Sequence, residues 1–280
     1  MDSPLAAPLR QPLPDLGAWS AHFRSAPIPV LARTADALEA LRALEDEVDA
    51  NQIGEMVCRD PLMTLRVLSY AAANRPSRMV TDTGTVTAAI VMMGIGPFFR
   101  AFGPPPTVED QLHEHPAALA GIQNVLRRSH RAATFAIGFA VHRMDPDAAL
   151  IYQAALLHDF AELLLWCHAP ELALALKQTQ QAKPTLRSAL AQRRVLNVEL
   201  GDLQQSLMRA WHLHDLLVKT ADERHAQHPS VKTVALAVRL ARHTMQGWQN
   251  DALGDDLRDV AGLLNVSPGV ARQLAIDIDE

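Results

Sequence analysis

Residues 155–166, ALLHDFAELLLW, set His158 beside Asp159 inside an otherwise apolar run. An imidazole next to a carboxylate is a donor pair suited to a divalent metal. With more ligands and open positions for water, such a centre hydrolyses phosphoesters. Burying an ionisable pair is costly unless something pairs with it or binds it. The pair therefore either holds a metal or fills a polar place where none binds, and the other ligands decide which.

Two helical faces bear on the search. Leu119, Ile122, Leu126, Ala133, Ile137 and Val141 share one face of a helix expected over 117–142, and His130 falls among them. Ile151, Ala154, Ala161 and Leu165 share a face of the next helix, expected over 147–166, and His158 lies on it. Asp159 is one residue further round. Imidazoles on the inner faces of consecutive helices can converge on a metal, as in helical bundles. The competing reading makes His130 and His158 hydrogen-bonded core histidines, with Asp159 accepting a ring N–H and fixing the tautomer. His225 continues the line of Leu213, Leu217 and Ala221 and is a candidate contributor, as is Glu162. His212, His214, His228 and His243 read as surface residues.

The elements that would position these groups are helical throughout. Asp60-Pro61 opens the clearest helix, with Asp60 as cap and Pro61 at the first position; Leu62, Leu65, Leu68 or Ser69, and Ala72 form its stripe, and Asn74 and Pro76 end it. Leu31, Ala35, Leu38 and Leu41 recur at helical spacing after a Pro-containing lead. TVTAAIVMMGIG reads as a helix stopped by Gly94 and Gly96. Further helices are expected over 169–178, 183–193, 198–225, 230–247, 255–264 and 267–278, the last capped by Ser267 with Pro268 following. No period-two strand or internal repeat occurs, so the expected fold class is all-α. AFGPPPTVEDQLHEHP interrupts the pattern and places the expected lobe boundary at 102–116, between lobes at 18–101 and 117–278, after a loose lead-in at 1–17.

Composition narrows the function classes. The 280 residues are 49% hydrophobic and 20% charged, which fits a packed globular chain, and the low aromatic share of 5% favours helix over strand. A net charge of −5 and the lack of a basic-aromatic cluster argue against nucleic acid as partner. Cys58 and Cys167 have no ligand spacing and read as buried free thiols in a reducing compartment. The N-terminus lacks the features of a signal peptide, and no segment is expected to span a membrane, so a cytoplasmic protein is expected.

The ordered series APIPVLARTADALEAL, CRDPLMTLRVLSYAAAN, TVTAAIVMMGIG, RRSHRAATFAIGFA, AALLHDFAELLL and LMRAWHLHDLLVKTADERHAQHP resembles the HDOD family, from about residue 18 to 278. That family is an all-helical relative of the HD-type metal phosphohydrolases. The resemblance implies a ligand pattern of a His, a His-Asp pair and a later Asp, which maps onto His130, His158 and Asp159. The later Asp falls at Arg242, in a helix without Asp or Glu, and a cation there repels a metal. The phosphodiesterase branch follows its pair with Gly and Lys, where this chain has Ala161 and Glu162. It has another ligand His where this chain offers Leu200 or Glu199, and its GYP triplet is missing. Asn74 stands where the family carries an Asn after its DP helix, here followed by Arg75 and Pro76; it reads as a helix cap.

The resemblance implies a non-enzymatic, bacterial signal-transduction protein that stands alone as a domain. It would act through protein partners and keep a degenerate HD site as a polar core. No metal, cofactor, nucleic acid or membrane is expected, and a small-molecule ligand between the lobes is compatible with this reading. The alternative is a metal-dependent phosphohydrolase of the HD superfamily.

Overall fold

The computed structural model describes residues 7–75, 84–183, 185–220, 225 and 227–280. Pro76, residues 221–224 of the helix expected over 198–225, and the first six residues of the lead-in lie outside them. The fold is all-α: among the described residues, the β-pairing is confined to one isolated bridge between Val30 and Thr107.

Two compact units interleave along the chain. One comprises Met1–Val125 and Asp159–Leu213, the other Leu126–His158 and His214–Glu280. The first holds α1 (Leu16–Ser25), α2 (Ala32–Arg42), α3 (Ala50–Val57), α4 (Pro61–Ala73), α5 (Val86–Met93), α6 (Ile95–Ala101), α7 (Val108–Gln111), the start of α8 (Pro116–His142), α10 (Phe160–His168), α11 (Pro170–Ala182), α12 (Ser188–Leu196) and α13 (Leu200–Ala210). The second holds the remainder of α8, α9 (Ala148–Leu156), α14 (Asp215–Thr220), α15 (Pro229–His243), α16 (Leu253–Leu264) and α17 (Pro268–Asp279).

This division differs from the expected lobe break at 102–116, which lies inside the first unit. Val108 N donates to the Val30 carbonyl at 2.8 Å and Val30 N donates to Pro106 O at 3.0 Å. The Glu109 carboxylate accepts from Ala32 N, and Gln111 Nε2 donates to Cys167 O, both at 2.8 Å. The prolines remove donors and stop a helix, but the polar residues after them bond across to α2 and α10. A break in periodicity is here a packed connector.

The first unit is organised around Asp60, whose side chain is fully buried. Oδ1 caps α4 by accepting from Leu62 N at 2.8 Å and Met63 N at 3.3 Å, while Oδ2 accepts from Leu31 N at 2.8 Å and thereby fixes the start of α2. Leu62, Leu65 and Leu68 are buried, so Leu68 rather than Ser69 fills the third stripe position, while Ala72 at the end of the stripe is only half-buried. Asn74 closes the helix as a cap, its Nδ2 donating to Tyr70 O. Gly94, at φ +82, takes the conformation that favours glycine and separates α5 from α6; Gly96 does not stop a helix but lies within α6. Trp19 of α1 donates its Nε1 to Leu196 O at 2.9 Å, and the Ser20 and Ser206 hydroxyls pair at 2.8 Å, docking α1 on α13.

In the second unit α15 packs on α9, α14 and α16, and α16 on α17. Phe135 of α8 stacks on Phe139 and meets Trp248 edge to face. Arg131 donates to Asp279 of α17 at 2.8 Å and to the Thr244 carbonyl at 2.7 Å. Ser267 caps α17 as expected. Val141, placed on the inner face of its helix by spacing, is instead 62% exposed, because the last turns of α8 bury the face that carries Phe135, Ala136, Phe139 and Ala140.

One helical run, Ala148–His168, is long and apolar enough to cross a membrane by length and composition, contrary to the sequence expectation. Two-thirds of its most apolar stretch is buried inside the protein (67%), and it is broken into α9 and α10. It is the packed core of the fold that makes it apolar.

Candidate functional site

The helix expected over 147–166 breaks at the His-Asp pair. Leu157 N still reaches Gln153 O at 3.0 Å, but His158 N turns to Ala155 O at 3.2 Å, a tightened last turn. Asp159 then starts α10, its carbonyl accepting from Glu162 N and Leu163 N, while its carboxylate makes no capping bond to that helix. Asp competes with helix by bonding locally, which suits it to this junction. His158 and Asp159 are both half-buried, between the buried Leu157 and Phe160.

The expected apolar faces around them are largely correct. Ile151, Ala154, Ala161 and Leu165 are buried, as are Leu126 and Ala133 on either side of His130. His130 is itself half-buried on α8, and the Thr134 hydroxyl donates to its carbonyl. His130 and His158 belong to the second unit, whereas Asp159 and Glu162 belong to the first; the division runs between the two members of the pair. Arg242 is exposed on the last turn of α15, and His225 is half-buried. Among the described residues, no group of three or more His, Cys, Asp or Glu side chains gathers closely enough to hold a metal. The described residues alone do not gather the donor set that a hydrolytic centre needs.

The other histidines separate by structure. His212 and His228 are exposed, and His214 uses Nδ1 to accept from Leu216 N at 3.1 Å. His243, read as a surface residue, instead pairs through Nδ1 with the buried Asp256 at 2.5 Å, and Arg239 Nε lies 2.7 Å from the same carboxylate. The four-residue spacing of Arg239 and His243 was the available signal, since it puts both on one helix face; their partner lies on another helix and could not be paired by spacing.

Two further polar residues escaped sequence reasoning. His168 is buried at the end of α10, and its ring stands 5.9 Å from that of His22 on α1, edge to face. Burial lowers the His168 pKa to about 4, with the neighbouring His22 adding to the effect and a hydrogen bond to the Pro27 backbone opposing it. Burial lowers the His22 pKa as well. Asp60 is pushed up by burial and held down by its backbone donors and by Thr34. Burial, with the charges of Asp60 and Glu109 behind it, raises the Cys167 thiol well above its ordinary range, so it stays protonated and inert.

The family model described as the HDOD domain matches residues 28–227. The chain belongs to the HDOD family. The match takes in the Asp60 node, the Pro-rich connector and the His-Asp junction, and leaves α15, α16 and α17 outside it. Solved structures share the HDOD fold seen here. The MmoQ response regulator of Methylococcus capsulatus superposes with a TM-score of 0.66 at 17% identity, covering 90% of this chain and 98% of that one. A virulence factor of Campylobacter jejuni gives 0.64 at 18% identity, covering 94% and 98%. At such identities the likeness is one of fold. No curated protein sequence matches the chain.

Proposed function

We propose that this HDOD domain is a non-catalytic regulatory module of bacterial signal transduction that works in the cytoplasm by binding protein partners. The observation that carries the reading is the donor set at the His-Asp junction. The position that the resemblance gives to a last carboxylate ligand holds Arg242, exposed on α15, and no three potential ligands converge among the described residues. A response regulator and a virulence factor that share the fold support a regulatory role. Each unit also presents large apolar side chains to solvent, Val91 and Met92 on the first and Val141 and Met144 on the second, which suits contact with other proteins.

The test measures phosphodiesterase and phosphatase activity of the purified full chain with added Mn2+ or Fe2+, on a cyclic dinucleotide and on a generic aryl phosphodiester. No turnover above the metal-only blank is expected. Turnover that disappears in a folded Asp159→Ala variant would make the protein a hydrolase and overturn the reading. Affinity capture from the native host, with a binding-deficient surface variant as control, identifies the partner.

A further inference from the structure

Between Glu171 and Glu199 the chain carries no acidic residue, although its net charge is −5. Lys177, Lys183, Arg187, Arg193 and Arg194 fall in that stretch, which forms the hairpin of α11 and α12 in the first unit. On α12 the buried side carries Ala191 and Leu196, so Leu190, Arg193 and Arg194 turn outward, and Arg187 is exposed just before the helix. Arg193 pairs with Glu199 at 2.7 Å. Lys183, Arg187 and Arg194 are exposed and meet no acidic group among the described residues. The arginines of α8 differ: Arg131 donates to Asp279, and Arg143 lies 3.8 Å from Asp145. Like charge left unrelieved repels itself. Leu190, 42% exposed, stands between Arg187 and Arg194 on this outer side.

The same unit carries the opposite arrangement. After α2 the chain makes a tight turn in which Glu45 N donates to Arg42 O at 3.2 Å and Glu47 N to Leu44 O at 2.8 Å, anchored by the buried Val48. Leu44, Glu45, Asp46 and Glu47 are all exposed there, Leu44 at 50%. The three carboxylates form no ion pair among the described residues. We propose that the outer side of α12 binds the α2–α3 turn of a second copy of this chain. Leu44 meets Leu190, and Glu45, Asp46 and Glu47 meet Lys183, Arg187 and Arg194. Each face is an exposed leucine flanked by charge of one sign, and the two signs are opposite. Complementary charge steers the encounter and fixes the register, while the leucines supply an apolar centre.

Other occupants fit the hairpin less well. Residues 172–198 include no aromatic side chain to stack on bases, and Leu190 alone gives little apolar surface to insert into a bilayer. The contact joins two different surfaces, so it is head-to-tail and leaves one face of each kind free at the ends of a pair. Exposed ion pairs are individually weak and screened by salt, so association is reversible and follows chain concentration. It is separate from the partner binding proposed above, and either can exist without the other.

The experiment follows sedimentation of the full chain at concentrations up to about 1 mM. The average mass is expected to rise with concentration in about 0.1 M salt. It should fall back toward monomer in about 1 M, where the screening length drops from about 10 Å to about 3 Å. Arg187→Glu with Arg194→Glu, and separately Glu45→Lys with Glu47→Lys, each weaken self-association about tenfold or more. Mixing the two variants restores it, because each keeps the face that the other has lost. Arg272→Glu, at an exposed position on α17, changes nothing. A wild type that stays monomeric in about 0.1 M salt overturns the proposal, and so does one that instead binds anionic vesicles or polyglutamate through the hairpin. Reversal variants that associate like the wild type, or a mixture that does not associate, overturn it too. Where a variant fails to fold, wild-type amide signals decide: dilution should move those of residues 43–47 and 187–194 together, and shifts confined to other residues overturn the contact.

Discussion

At the residue scale, Asp60 was legible as a helix cap and illegible as the anchor of α2. The cap follows from local sequence, whereas Leu31 N comes from 29 residues away and shares the same carboxylate. Asp60→Ala leaves buried N–H groups at two helix starts unmet, at a combined cost of about 2–4 kcal/mol. Urea unfolding should show it as a lower midpoint with an unchanged slope, and Asp60→Asn should recover part of the loss. His168 gives a pH dependence. Its folded-state pKa, about 4, lies below the ordinary value of 6.5, so the unfolded chain takes up a proton at higher pH than the folded one. Between those values the unfolded state binds more protons, and stability rises with pH. The contribution is complete above about pH 6.5 and lost as pH falls to about 4, amounting to about 3 kcal/mol across the window. Melting of the protein from pH 7 to pH 4 should show the decline, and a folded His168→Phe should flatten it.

At the element scale, helices with a cap and a proline at the start were placed to within a residue or two, as α4 and α17 show. Those starts are decided by local chemistry. The helix expected over 147–166 failed because its apolar face continues unbroken through His158 and Asp159 while the backbone does not. Periodicity reports which side faces the core and is blind to a turn that keeps that side inward. The site residues suffer the same limit: His130 lies on its helix as expected, but His158 falls in the turn after α9, and which unit each belongs to is set by tertiary packing. Helix packing also hides in small residues. Gly121 of α8 faces the Trp166 ring of α10, where an added methyl group would overlap three ring carbons. Gly121→Ala should cost about 1–3 kcal/mol through overpacking, although alanine raises intrinsic helix propensity. A stabilised variant in thermal melts would show that the two helices separate easily.

At the scale of the whole molecule, the chain order conceals the architecture. A polar, proline-rich stretch at 102–116 suggests a lobe boundary, yet the first unit is completed only by residues 159–213, and the second by residues 126–158 with 214–280. Inspection of composition cannot reveal that interleaving, because the exchanges occur inside α8, at the His-Asp junction and after α13, none marked by a linker. The two descriptions predict different behaviour for a fragment of residues 117–280. A boundary at 102–116 would let it fold alone. The observed packing gives it α10 and α13 without α4 and α1, their partners in the first unit. It leaves Leu163, Leu164, Leu203 and Leu207, all buried in the full chain, to face solvent in part. Exposed apolar surface of that extent drives association. The fragment should therefore aggregate, or show a broad, weakly cooperative melt with early cleavage between residues 159 and 213 under limited proteolysis. The full chain should resist cleavage there. A monomeric fragment with a sharp transition and a protease-resistant 159–213 segment would show that the second half folds without the first, and would restore the boundary in the proline-rich connector.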